Sequence, residues 1–276
     1  MRWKQFFTPV KSISAPEARE IIENTATDAV TVLDVRQPNE YEEVHIPGAT
    51  LIPLPELDSR MKELDAEKKT IVYCAIGGRS RVAAQMLAGR GFDHVIKMAG
   101  GFKAWNGLAA SGTEHKGMQL FTGRETLEET LAVAYSLEEG LRDFYIQMSG
   151  QIKNKDAVDV FEKLSRIEQL HQDRIFAEYK ALTGRDDTLQ AFKDTVVTKA
   201  MEGGLSTNDY LALFALDITS PREVTEIAMS IEAQALDLYS RAAARATDER
   251  SRAALTKIAD EERVHLKELG KLMESL

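Results

Sequence analysis

Six side chains in the second half of this chain have the types and spacing to hold metal. Beyond residue 120 there are two histidines, each with a glutamate three residues earlier: Glu168-Gln-Leu-His171 and Glu262-Arg-Val-His265. Upstream of each pair lies a further glutamate with a tyrosine seven residues later, Glu138 with Tyr145 and Glu232 with Tyr239. Every member of the later set stands 94 residues after its counterpart, so one pattern is repeated. The register also selects among neighbours. Ala233 stands 94 residues after Glu139, and Ile167 stands 94 before Glu261, which leaves Glu138 and Glu262 in the set.

Residues three apart on a helix share a face, so each Glu-x-x-His pair presents a carboxylate beside an imidazole. One glutamate from each remaining helix completes four carboxylates and two imidazoles, the donor set of dinuclear iron and manganese bundles. Four carboxylates crowded in a core repel one another and lose hydration, and two divalent cations relieve both costs. Oxygen-rich ligation with two imidazoles suits iron, with manganese as the alternative, over zinc or copper. The neighbours Leu137, Leu141, Ile231 and Val264 are apolar, which predicts that these faces turn inward. Tyr145 and Tyr239 are expected to pack in the core, each with a hydrogen bond.

The second chemical feature is Cys74-Ala-Ile-Gly-Gly-Arg-Ser80, which holds the sole cysteine. One cysteine excludes a disulfide within the chain and a CxxC metal knuckle. It ends an apolar run, so the thiol is expected at the carboxyl end of a strand, where parallel sheets bind ligands. Gly77 and Gly78 allow backbone N–H groups to turn inward. Ser80 or Arg81 is expected to open the next helix, with its positive dipole end near the thiol, and Arg79 adds a charge. All three favour thiolate over thiol, and would equally stabilise a persulfide or a bound oxyanion. An inert core cysteine is the competing reading, but it would need neither the glycines nor the arginine.

These groups need elements to position them. Up to about residue 110, AVTVLDV (29–35), TIVYC (70–74) and HVIKM (94–98) read as buried strands. SRVAAQMLAGRGF supplies a helix between the last two, and Ser14 with Glu17 and Pro16 makes a capping box for an earlier one. The alternation predicts a mainly parallel sheet with helices on both faces. Over 106–117 the texture becomes small, polar and glycine-rich. Four long helical patterns follow, at about 126–150, 156–182, 221–245 and 249–274. Thr126 with Glu129 and Ser220-Pro221 mark two of their starts. The connection at about 183–220 is expected to carry shorter helices of its own. Two helical hairpins joined by one long crossover form a ferritin-like four-helix bundle. The expected organisation is α/β over 1–110, a linker over 111–120, and all-α over 121–276.

At 276 residues, 43% hydrophobic and 29% charged, the chain has material for two cores. Its formal charge of −9 argues against non-specific nucleic-acid binding, and no polybasic membrane patch occurs. No run reaches the length of a membrane span, and MRWKQFFTPVKS lacks the apolar stretch of a signal peptide. A cytoplasmic protein with no nucleic-acid or membrane partner is therefore expected, and a single cysteine fits a reducing compartment.

Residues 10–110 resemble the rhodanese family in LDVRQPNEYEEVHIPGA (33–49), VYCAIGGRS (72–80) and MAGGFKAWNG (98–107), which come in the family's order and spacing. The resemblance implies a rhodanese-like fold and a sulfurtransferase. Cys74 would attack the outer sulfur of thiosulfate or another sulfane donor, carry it as a persulfide, and release it to a thiol or cyanide. Backbone amides of Ala75, Ile76, Gly77, Gly78 and Ser80 are implied to cradle that sulfur, with Arg79 contributing charge. Asp34 and Arg36 are expected to shape the site through neighbouring loops, and His45 to fix its own loop. The six-residue loop from Cys74 to Arg79 suits sulfur, since related phosphatases have a longer one. Val44 departs from the glycine usual before HIPGA, and no proline follows Gly112.

Residues 118–276 resemble the ferritin-like superfamily, particularly rubrerythrin-type proteins, in the repeated Glu and Glu-x-x-His pattern. The resemblance implies two iron ions on Glu138, Glu168, His171, Glu232, Glu262 and His265, and two-electron reduction of peroxide or dioxygen at a diferrous centre. Ala235 stands where rubrerythrin proper has an additional glutamate, and one cysteine cannot build its cysteine-bound iron module.

Sulfur transfer through Cys74 is thus expected, in a chain whose di-iron bundle acts on peroxide, dioxygen or sulfur species. Expected partners are a small sulfur donor such as thiosulfate, a thiol acceptor, an electron donor and a second copy in a homodimer. The competing expectation is a persulfide sensor or delivery module whose bundle is mainly a structural dimerisation domain.

Overall fold

A computed structural model describes residues 10–194 and 220–276, which fall into two compact units parting between Glu114 and His115. In the first, strands β1 (Lys11–Ile13), β2 (Val30–Asp34), β3 (Thr50–Leu51), β4 (Lys69–Tyr73) and β5 (Val95–Met98) form a parallel sheet. Their order is β1-β5-β4-β2-β3, with Val32 beside Ile71 and Ile71 beside Ile96. The two-residue period sends Val32, Ile71, Tyr73 and Ile96 into one core and Leu33, Val72, Cys74 and Val95 into another. A sheet buried on both faces explains why its strands read as continuous apolar runs. β1 and β3 were not expected from the sequence; at three and two residues they are too short for a period to register.

Helices α1 (Ala15–Glu23), α2 (Pro38–Glu43), α3 (Leu57–Arg60) and α4 (Gly78–Ala88) complete this unit. α1 starts at the Ser14–Glu17 capping box and gives Ala18 and Ile22 to the first core. α4 gives Ala83 and Leu87 to the second.

The other unit contains α5 (Leu127–Ser149), α6 (Lys155–Thr183), α7 (Leu189–Lys193), α8 (Pro221–Arg245) and α9 (Glu249–Ser275). Capping boxes open α5 at Thr126 and α8 at Ser220, while Asn154 and Asp248 cap α6 and α9. The four long helices pack as a ferritin-like bundle around Leu141, Phe144, Tyr145, Phe161, Val224 and Ile231. Of the shorter helices expected in the crossover, α7 is described; residues 195–219 lie outside the described residues.

The stretch 111–120 is shared between the two units. Ala110 pairs with His45, and the Gly112 N–H donates to the Glu42 carbonyl at 2.7 Å, which ties this end to the first unit. Farther on, the Lys116 carbonyl accepts from Arg241 and Met118 is buried, both within the second unit. No helix among the described residues is long and apolar enough to cross a membrane.

Candidate functional site

Cys74 directly follows β4 and is 1% exposed. The chain then turns at Gly77, whose φ of +105° favours glycine, whereas a Cβ on Gly78 would meet nothing within 4 Å. Gly77 is the N-cap, so α4 opens at Gly78 rather than at Ser80 or Arg81 as expected. The earlier start brings more N–H groups of the loop and first turn to the sulfur. The Gly77 N–H donates to Cys74 Sγ at 3.1 Å, and the Ser80 hydroxyl lies 3.6 Å from it. Burial works against the thiolate. The Ser80 N–H and hydroxyl, with the Gly77 and Ile76 N–H groups, outweigh it and bring the thiol pKa below its ordinary value.

Arg79, expected to bring a full charge to the loop, is clasped by Glu40: Nη1 to Oε2 at 2.6 Å and Nη2 to Oε1 at 2.7 Å. Hydrogen bonds from Arg79 hold the Glu40 pKa near 2. The loop amides and Ser80 therefore carry most of the thiolate stabilisation, with Arg79 already partly neutralised. Ile76 stands 71% exposed two residues from the thiol.

A second loop braces the first. After β5, the Phe102 N–H donates to the Cys74 carbonyl at 2.7 Å and the Lys103 N–H to the Ala75 carbonyl at 3.0 Å. Gly101, at φ 61° and ψ −158°, lets the two backbones touch, since a Cβ there would lie 2.2 Å from the Cys74 carbonyl oxygen. Sequence reasoning assigned neither Glu40 nor Gly101 a role; the paired glycines 100–101 were the available signal. Asp34 and Arg36 form a buried ion pair, Arg36 Nη2 to Asp34 Oδ2 at 2.7 Å. The same nitrogen donates to the Val44 carbonyl, and the guanidinium lies 4.7 Å from the centre of the Phe102 ring. The pair thus joins the end of β2 to the loops on either side. His45 is buried, stacked on Tyr41, with Nδ1 2.7 Å from the Tyr41 carbonyl.

In the bundle, α5 supplies Glu138, α6 Glu168 and His171, α8 Glu232, and α9 Glu262 and His265. The structure brings all six together in two triads. Within Glu138–Glu168–His171, and within Glu232–Glu262–His265, one donor atom per residue lies within 4.8 Å of the others. His171 Nδ1 is 2.9 Å from Glu168 and 3.3 Å from Glu138; His265 Nδ1 is 3.3 Å from Glu262. The two imidazoles stack at 3.9 Å, so the triads adjoin. Leu137, Leu141 and Ile231 are buried as expected, but Val264 is 53% exposed. It is two residues from Glu262, a rotation of about 200° on a helix, and so faces away from the site. Tyr145 packs beside Phe144 and Phe161, Tyr239 beside Phe121, and Ala235 is buried.

Burial, with repulsion from neighbouring carboxylates, pushes Glu168 and Glu232 well above the usual carboxylate range and raises Glu262 to about 8. Burial also lowers His265. It opposes the charge on His171 as well, but the Glu138 and Glu168 carboxylates beside that ring raise its pKa to about 12. Glu168 Oε1 and Glu232 Oε2 are buried without a hydrogen-bond partner. Orphaned carboxylate oxygens in a dry core are costly unless a cation meets them. The donor set fits a pair of divalent ions.

Comparison with known proteins agrees with both halves. The rubrerythrin family model matches residues 129–273, and the rhodanese-like domain model matches 14–108. The chain belongs to the rubrerythrin family. Ahead of its rubrerythrin domain it carries a rhodanese-like domain. YrkF of Bacillus subtilis is 39% identical over 80 residues, 29% of this chain and 43% of YrkF. The thiosulfate sulfurtransferase GlpE of Coxiella burnetii is 36% identical over 95 residues, 34% of this chain and 86% of GlpE. The chain therefore spans less than half the length of YrkF. Among solved structures, a rhodanese-related protein of Thermoplasma volcanium shares 37% identity over 34% of this chain and 89% of that one, with a TM-score of 0.31.

Proposed function

We propose that the rhodanese-like domain is a sulfurtransferase carrying sulfane sulfur on Cys74, and that the rubrerythrin domain holds two metal ions, iron by preference. The observation that carries the first part is the convergence of the Gly77 N–H and Ser80 on Cys74 Sγ at the end of a parallel strand. With thiosulfate, the Cys74 thiolate attacks the outer sulfur, the donor's S–S bond breaks, and sulfite leaves with the electron pair. The transferred sulfur is then a persulfide anion, held by the N–H groups that favoured the thiolate. A thiol or cyanide attacks that outer sulfur, and Cys74 departs as thiolate. The cycle closes without an oxidant or reductant. Because the chain has one cysteine, the acceptor is another molecule. The relative GlpE, named a thiosulfate sulfurtransferase, supports thiosulfate as the first donor to try.

In the rubrerythrin domain, Glu138, Glu168, His171, Glu232, Glu262 and His265 would hold the ions. Iron bound there supplies two-electron chemistry toward peroxide or dioxygen. Leu137, Leu141 and Ile231, buried on the same helices, keep bulk water from the carboxylates.

The test is Cys74→Ser in the full chain. It is expected to abolish thiosulfate:cyanide sulfur transfer while metal content, measured on protein purified without added metal, stays at the wild-type two ions per chain. Turnover retained in the serine variant would overturn the nucleophile assignment.

A further inference from the structure

We infer that, among the described residues, the rubrerythrin domain admits small uncharged molecules to its carboxylate–imidazole cluster from the His265 side and not the His171 side, through a pocket in the seam between α6 and α9. The inference rests on the metal reading of that cluster. The pocket has a volume of ≈ 40 Å³, and Glu232 and His265 lie at its buried end. Leu164, Ile167, Leu269 and Leu272 form its walls, and exposed Lys163 and Glu268 flank its mouth. That volume exceeds the roughly 10–15 Å³ of cavity needed to hold one water, so molecules of a few heavy atoms can enter. Dioxygen, hydrogen peroxide and hydrogen sulfide fit this class. Apolar walls also disfavour anions, which would shed hydration to enter.

The repeat makes the one-sidedness legible. The two hairpins carry one pattern 94 residues apart, so every pocket residue has a counterpart at the other end of the seam. Ile167 corresponds to Glu261, Glu268 to Arg174, Leu272 to Glu178 and Lys163 to Lys257. At that other end Arg174 pairs with Glu261 at 3.0 Å and Lys257 pairs with Glu178. Both pairs cross from α6 to α9 and fill the gap that Ile167 and Leu272 leave open on the His265 side. Such pairs add little stability on a surface, but they place charge where the other end has an apolar passage. The imidazoles report the same asymmetry: the His265 side chain is 12% exposed, that of His171 5%. Two apolar residues standing in for two glutamates turn a symmetric fold into an asymmetric entrance.

The experiment uses the full chain with two plugs in the pocket, Leu272→Trp and Ile167→Trp, both at half-buried positions. The control is Glu178→Trp, the counterpart of Leu272 at the far end. Xenon-pressurised crystals report the pocket without reference to metal. Nitric oxide binding to the iron-loaded protein, followed by stopped-flow absorbance, reports entry to the cluster. Xenon is expected in the wild type and Glu178→Trp but not in Leu272→Trp. Nitric oxide association is expected to slow about tenfold in both plugged variants and to stay within about twofold in the control. Xenon missing from the wild-type pocket would overturn the inference. So would an unchanged rate in the plugged variants, or an equal slowing in the control. Metal content of the same samples separates the two levels: fewer than two ions per chain defeats the metal reading, and the xenon result then decides the pocket by itself.

Discussion

Replacing Gly101 with alanine asks whether the loop after β5 positions the nucleophile. At φ 61° and ψ −158° this residue occupies a region nearly closed to L side chains, which costs about 1–3 kcal/mol. The larger effect is steric. The added Cβ would lie 2.2 Å from the Cys74 carbonyl oxygen and 2.6 Å from the carbonyl carbon and oxygen of Ala75. Reaching even 3.0 Å, below which Cβ contacts essentially never fall, requires the Cys74 carbonyl to retreat by roughly 0.8 Å, and a misplacement of about 1 Å at a reacting group costs about 100-fold in rate. The same retreat breaks the 2.7 Å bond from the Phe102 N–H. Gly101→Ala is therefore expected to lower kcat/KM for thiosulfate:cyanide transfer by about 100-fold, while the metal content of the rubrerythrin domain is unchanged. Steady-state kinetics and metal analysis on one preparation, with a thermal melt to confirm folding, make the assay. Wild-type turnover in a folded Gly101→Ala protein would refute the reasoning.

Other expectations follow from the same two sites. Because the loop lowers the Cys74 pKa, its thiolate persists to lower pH than an ordinary cysteine's. The pH profile of iodoacetamide alkylation should therefore reach half-maximum below that of the denatured chain, and Ser80→Ala should move it upward. Coincident profiles would contradict the hydrogen-bonding account. In the bundle, Glu232→Gln removes one of the cluster's four buried carboxyls, including an oxygen without a hydrogen-bond partner. Metal-free Glu232→Gln protein should gain about 1–3 kcal/mol of stability and melt higher than metal-free wild type, yet retain less metal. A lower melting point in the metal-free variant would count against the crowded-carboxylate argument.

The bundle was the more legible half. Its helices fall within one residue of the boundaries read from caps and periodicity, because Thr126, Ser220 and Pro221 act on backbone groups within their own first turns. The six clustered glutamates and histidines were found by the repeat, since spacings of three and of 94 survive in one dimension. Val264 shows the limit of that reading: its apolar character suggested an inward face, and the helical turn points it out. In the sheet, the buried strands announced themselves by composition, but β1 and β3 are edge strands too short to carry a pattern.

By itself the sequence determined which side chains could do chemistry, on what kind of element each sits, and which residues share a helical face. These are consequences of covalent spacing and local hydrogen bonding. Tertiary structure alone decided that Glu40 claims Arg79 from 39 residues away, that Gly101 slides under the Cys74 carbonyl, and that charged pairs close one end of the α6–α9 seam while an apolar pocket stays open at the other. Each depends on where distant segments cross, and so on the balance of packing, burial and charge in three dimensions.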